Sequence, residues 1–167
     1  KGENPVGITI ANGKIITNRT LEGSSYGLIG FNEDNTLVLL HNVTGESALE
    51  MGVRDAVTMA PFLIVNGKPA FTKGNGGWGY AARTAIGQRK DGIVLFLVID
   101  SNATRTKGAS MKDLVEIMQR YGAVNAANLD GGTSSAMVVE GTMINDPIDS
   151  VGRHRTRGIP TVFNVIP

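Results

Sequence analysis

Val6-Gly7-Ile8-Thr9-Ile10-Ala11-Asn12-Gly13-Lys14-Ile15-Ile16-Thr17 is the stretch whose reading decides the fold. Two β-rich arms flank Asn12-Gly13, the dipeptide that most readily supplies the positive φ angles of a tight hairpin turn. Gly27 to Phe31 and Thr36 to Leu40 flank Glu33-Asp34-Asn35 in the same manner, so the first 40 residues read as two hairpins. Hairpins join antiparallel strands, whereas a parallel sheet needs long crossovers. Working outward, Ser47-x-x-Glu50 has the form of a capping box, with Leu49, Val53, Ala56 and Val57 at helical spacing until Pro61. This predicts a helix over Ser47–Met59. Ile93 to Ile99 is seven consecutive apolar residues, which predicts a strand covered on both faces at the centre of the sheet. Ser110-x-x-Asp113 starts a second helix, Ser110–Tyr121, with Met111, Leu114, Val115, Met118 and Tyr121 on one stripe read as core and Gly122 as its cap. The fold class expected is α+β: one domain over 1–167 with a mixed, largely antiparallel central sheet flanked by helices.

Length and composition permit one domain with a sizeable core and exclude little else. A formal net charge of +1 offers no global field for nucleic acid or an anionic membrane. The absence of cysteine excludes disulfides and thiolate metal sites and is compatible with a reducing cytosol or a bacterial envelope. No apolar run approaches the ~20 residues that span a bilayer, and Lys1-Gly2-Glu3-Asn4 is no signal peptide, so an export signal or anchor is expected to lie outside this sequence.

The chemistry concentrates in Asn128-Leu129-Asp130-Gly131-Gly132-Thr133-Ser134-Ser135. An apolar segment stops on an acid and turns through two glycines, which aims a carboxylate into a cleft and bares backbone N–H groups. An ordinary Asp-Gly turn is the competing reading. No lysine follows Gly132, so the run is not a Walker A loop. Gly132-Thr133-Ser134-Ser135-Ala136 lacks the second glycine of a nucleophile elbow, and neither His41 nor His154 is marked as a partner base. Asp100, like Asp130, ends an apolar strand. If the two strands are neighbours running the same way, both carboxylates open on one sheet edge, the pairing that glycosidic cleavage uses. Gly74-Asn75-Gly76-Gly77-Trp78-Gly79-Tyr80 reads as a substrate lid or as a plain connection. Arg153 and Arg155 read as a solvated loop. Asp100-x-Asn102-x-Thr104 copies the start of a calcium loop but lacks its Gly and Glu, which leaves a structural Ca²⁺ or Mg²⁺ open on ligand inventory alone.

Taken together these blocks resemble the phosphodiester glycosidase family. Pro61 to Lys68 is similar to its proline, apolar strand and Asn-Gly-Lys turn. Arg83-Thr84-Ala85-Ile86-Gly87 matches its Arg-x-Ala-Ile-Gly block, and Gly108-Ala109-Ser110, Gly122-Ala123 and Asn128 to Ser135 match its most specific block. Arg157 fits an arginine just before an apparent last strand, Ile159 to Ile166. The resemblance covers about residues 5 to 167. It departs in three places: no Asn-Gly-Gly-Phe-Phe-like segment precedes Pro5, Asp100 is followed by Ser101-Asn102 where the family has Gly-Arg, and Thr133 replaces a glycine. A domain lacking its N-terminal segment is therefore expected.

The resemblance implies hydrolysis of a glycosidic bond to phosphate, or of a related linkage in an envelope polysaccharide, by a protein of the bacterial envelope or exterior that needs no cofactor. Asp130, Asp100 and Arg83 are the implied catalytic residues. Arg157, Asn128, Gly131, Gly132, Thr133, Ser134, Ser135 and Thr84 are the implied substrate contacts, with no metal ligand among them. The implied partner is a sugar-phosphate or polysaccharide, not nucleic acid. A non-catalytic carbohydrate- or phosphate-binding module is the alternative from another class.

Overall fold

In the computed structural model, which describes residues 4–19, 21, 25–101, 106–149 and 151–166, two antiparallel five-stranded sheets stack face to face with one helix on each outer side. The first sheet contains β1 (Ile8–Ala11), β2 (Lys14–Asn18), β3 (Gly27–Asn32), β4 (Leu37–Leu40) and β5 (Val53–Met59), in the order β2-β1-β5-β3-β4. The second contains β6 (Phe62–Val65), β7 (Lys68–Pro69), β8 (Arg83–Arg89), β9 (Val94–Ile99) and β10 (Ala123–Leu129), in the order β7-β6-β10-β8-β9. A hairpin of β11 (Val138–Val139) and β12 (Thr142–Met143) follows. Every ladder within these sheets is antiparallel, so the expected mixed central sheet is replaced by two sheets of one kind.

Alternation along the strands makes the layers. On β3 and β4, Leu28, Val38 and Leu40 pack toward α1 (Gly45–Glu50), while Ile29, Phe31, Leu37 and Leu39 face the second sheet. On β8 and β10, Ala85 and Ala126 pack beneath α2 (Met111–Arg120), while Ile86 and Ala127 face the first sheet. The two hairpins predicted early are present, with Asn12 and Gly13 both at positive φ between β1 and β2. Helix α2 matches its prediction but for one residue: Ser110 caps it and Met111, Leu114, Val115 and Met118 are its buried face, while Tyr121, expected on the same stripe, is the exposed C-terminal cap.

Three predicted elements come out differently. The helix over Ser47–Met59 is only six residues long, Gly45–Glu50, capped by Thr44 with Ser47 at the reciprocal position. Gly52 terminates it at φ +79, a left-handed conformation that glycine adopts without a Cβ clash. Val53–Met59 then becomes β5, the middle strand of its sheet, where β-branched Val53, Val57 and Thr58 fit a pleated surface. The apolar run predicted at the sheet centre is β9, an edge strand, and β10 holds the centre. The run does serve two faces, since Leu95, Leu97 and Ile99 pack against the α2 cluster while Phe96 and Val98 line a cleft on the opposite side. The expected last strand, Ile159–Ile166, forms no ladder among the described residues. Only Phe163 is committed inward, edge-on to Phe31 with ring centroids 5.9 Å apart, and Val162 and Val165 stay exposed.

Candidate active site

The ends of β9 and β10 and the start of β8 meet at one edge of the second sheet. Arg83 pairs with Ile99, and Thr84 with both Val98 and Leu129. Because β8 lies antiparallel between them, β9 and β10 run in the same direction without being neighbours. Asp100 and Asp130 therefore leave their strands at the same edge, two strand spacings or roughly 10 Å apart.

Next to this edge the layer between the sheets opens into a cleft of about 730 Å³, whose lining includes Thr84, Leu129, Asp130 and Ser134. The turn that carries Asp130 is drawn against β8: the Gly132 N–H donates to the Ala82 carbonyl at 2.9 Å, and a Cβ on Gly131 would sit 2.7 Å from that same oxygen. Only glycine permits so close an approach. Gly132–Ser134 then makes one 3₁₀ turn, which buries Ser134 and Ser135.

Arg157 closes over this turn. Its Nη2 donates to the Asp130 carboxylate and its Nε to the Ser134 hydroxyl, both at 2.5 Å, and its backbone N–H reaches the Thr133 carbonyl. The ion pair is about half exposed on both sides, so screening keeps its contribution to stability within ~1 kcal/mol. Its value lies in placement, because Arg157, itself outside the cleft lining, sets a cation directly behind the lining residues Asp130 and Ser134, with Nη1 free of hydrogen bonds among the described residues. The Thr84 hydroxyl is buried in the same cleft wall without a protein partner among the described residues.

The other expected site residues are placed elsewhere. Arg83 is buried on the α2 side of β8, where Nε donates to the Ala109 carbonyl and Nη2 to the carbonyls of Trp78 and Gly79, at 2.8 to 3.0 Å. Burial lowers its pKa, since desolvation penalises the charged form. It ties the glycine-rich loop to the sheet, and it does not line the cleft. Asn128 is also buried and outside the cleft lining; its amide donates to the Ala60 carbonyl at 2.6 Å, linking β10 to the β5–β6 junction. Ser135 is fully buried, with its hydroxyl unpartnered among the described residues.

Asp100 is occupied as well. One carboxylate oxygen accepts from the Asn145 amide and the other from the Asp146 backbone N–H, each at 2.8 Å. Asn145 also donates to the Ser135 carbonyl and accepts from the Met137 N–H, so one side chain links the ends of β9 and β10. Sequence reading missed it, because Asn145-Asp146-Pro147 looks like any polar turn. Asp146 in turn holds the His154 ring at 2.7 Å, in the open. Arg153 and Arg155 both pair with Asp149, whose pKa is held far below the ordinary range by backbone N–H groups and these two arginines; they belong to a loop, as read from sequence. In the calcium-like triplet, Asn102 and Thr104 lie outside the described residues, as does Arg105. Among the described residues no three His, Asp or Glu side chains converge as a metal site would require, and no helix is long and apolar enough to cross a membrane.

Comparison with known proteins gives this arrangement relatives. The phosphodiester glycosidase family model matches residues 1–166. An uncharacterized protein, YomE, derived from the SPbeta prophage of Bacillus subtilis, is 31% identical over 129 residues, covering 74% of this chain and 20% of that protein. The bovine N-acetylglucosamine-1-phosphodiester alpha-N-acetylglucosaminidase is 36% identical over 69 residues, 41% of this chain and 13% of that protein. The zebrafish enzyme of the same name, solved as a catalytic domain auto-inhibited by its pro-peptide, shares the fold with a TM-score of 0.75 at 24% identity, over 92% of this chain and 55% of that one. The chain thus spans a fifth or less of these curated relatives and about half of the solved domain. With its Arg83 block, its Asp130 turn and nearly its whole length matched by the family model, this chain belongs to the phosphodiester glycosidase family.

Proposed function

We propose that the cleft hydrolyses a glycosidic bond to phosphate in a sugar phosphodiester. The observation that carries this reading is the Asp130–Arg157–Ser134 cluster, in which the carboxylate and hydroxyl that line the cleft, with Thr84, are backed by the Arg157 cation. A glycosyl phosphodiester divides its demands in the same way. Positive charge develops at the anomeric carbon and is met by a carboxylate, while the departing phosphate carries negative charge. That phosphate is already a weak base, so it needs a cation more than an acid. Asp130 serves the sugar, Arg157, held by Asp130 and Ser134 through Nη2 and Nε, offers its positive charge and its remaining Nη1 donor to the phosphate, and Thr84 and Ser134 hydrogen-bond the substrate. Thr133, Gly131 and Gly132 shape the turn that presents them. Arg83 and Asn128 act as positioning residues, and Asp100 fixes the Asn145 segment that borders the turn. A related glycosyl linkage in an envelope polysaccharide, met outside the cytoplasm, is the wider substrate class. The family relatives named for a phosphodiester substrate support the reading.

One observation favours a second reading, a non-catalytic binding module: both oxygens of Asp100, the expected second acid, already accept hydrogen bonds. Incubating the protein with a glycosyl phosphodiester and measuring free sugar separates the two. Release that disappears in Asp130→Asn supports the enzyme. Saturable binding without release supports the module.

A further inference from the structure

The cleft carries Thr84, Asp130 and Ser134 on a wall that is otherwise mostly apolar. Thr58, Glu140, Thr161 and Asn164 also line it, but most of its wall is apolar, with Phe96 and Val98 from β9, Val57 and Met59 from β5, and Val139 and Met143 from the hairpin. Several of these are open to solvent, Phe96 at 40% and Val139 at 50%, although β9 and β5 otherwise alternate into packed layers. Apolar surface left exposed in a concave site is costly at about 25 cal/mol per Å², and contiguous exposed patches usually mark what a protein binds. A volume of about 730 Å³ lies within the range of small-molecule sites. A second copy of the chain would instead need a patch burying about 800 Å² per partner, to which a concave cavity is poorly suited.

We infer that the cleft takes an amphiphilic substrate, a glycosyl phosphodiester whose second alcohol is a hydrocarbon chain, with the sugar phosphate at Asp130 and Arg157 and the chain along Phe96, Val98, Val139 and Met143. This rests on the hydrolytic reading for its reaction and on the cavity alone for its binding. Water adds to the anomeric carbon as the bond from that carbon to the phosphate oxygen breaks. The products are the free sugar, the alkyl phosphate monoester and the proton released from water. The apolar walls hold the alkyl phosphate, so chain length governs affinity at the end of the molecule remote from the bond that breaks.

Alkyl phosphates test the binding without any turnover. Methyl, butyl and octyl phosphate are titrated into the protein by calorimetry, and glycosyl methyl and glycosyl octyl phosphate are compared as substrates. Each fully buried methylene strengthens binding on the order of three- to fourfold, so even a half-open groove gives octyl phosphate at least a ~30-fold lower Kd than methyl phosphate. Val139→Asp, at an exposed hairpin position, should bring that ratio to within about threefold. Phe96→Ala is the second variant should the first unfold, as circular dichroism would reveal. Equal affinity for all three phosphates, an undiminished ratio in both variants, or a dimer whose dissociation opens the groove would each overturn the inference. A steep chain-length gradient without cleavage of either diester would sink the hydrolytic reading and leave the binding site standing.

Discussion

The inner face of β8 passes from a closed end to an open one within five residues. At Gln88 the layer between the sheets is sealed. The Gln88 side chain accepts from the Leu37 N–H at 2.7 Å and donates to the carbonyls of Asn35 and Gly92, and Ile29, Leu37 and Ile86 beside it are almost wholly buried. At Thr84, four residues earlier on the same face, the hydroxyl has no protein partner among the described residues and the layer gapes. Buried polar groups are nearly always paired, since leaving one unpaired costs about 1–3 kcal/mol. One strand thus spends its polar side chain on sealing the layer at one end and leaves one unpaired beside a cleft at the other.

Breaking the closed end has the largest effect. Ile86→Ala leaves a cavity in a fully buried layer and should cost about 2–5 kcal/mol of unfolding free energy, read from urea denaturation. A loss below about 1 kcal/mol would mean that the sheets are not packed against one another there. At the open end Asp130→Asn removes charge while preserving shape, and turnover of a glycosyl phosphodiester should fall at least ~10²-fold. Melting should stay within a few degrees, because the half-exposed Arg157 pair contributes little. A fully active variant, or one inactive only because it is unfolded, would return Asp130 to an ordinary turn. Arg157→Lys keeps the charge and loses the fork that reaches Asp130 and Ser134 together; KM should rise about tenfold with kcat less affected, the equivalent of one charge-assisted hydrogen bond. The smallest effect sharpens the contrast most. Thr84→Val removes a hydroxyl that bonds nothing in the protein, so stability should hold or rise by a few tenths of a kcal/mol while KM rises a few-fold. A clear drop in melting temperature would show that Thr84 has a structural partner after all.

Legibility followed the range of the interactions involved. The hairpins at Asn12-Gly13 and Asn35 and the helix after Ser110 were readable because turn angles, caps and a 3.6-residue stripe are local. Leu49, Val53, Ala56 and Val57 misled because a six-residue helix followed by a strand happens to reproduce helical spacing, and Gly52 carried the decisive signal. The strand Ile93 to Ile99 was readable as apolar on both faces but not as an edge, since strand order depends on which partners compete for it.

By itself, the sequence determined that the chain is rich in antiparallel strands, that a capped helix follows Ser110, and that Asp130 sits on a glycine turn at a strand end. All of these depend on residue type at short spacing or on a motif quoted residue by residue. Tertiary structure alone decided that there are two sheets, that Arg83 and Asn128 brace carbonyls outside the cleft, and that Asp100 holds Asn145. Those outcomes join residues from 26 to 68 positions apart in the chain. Which of several available carbonyls a side chain meets is set by how the layers stack, and no local pattern encodes it.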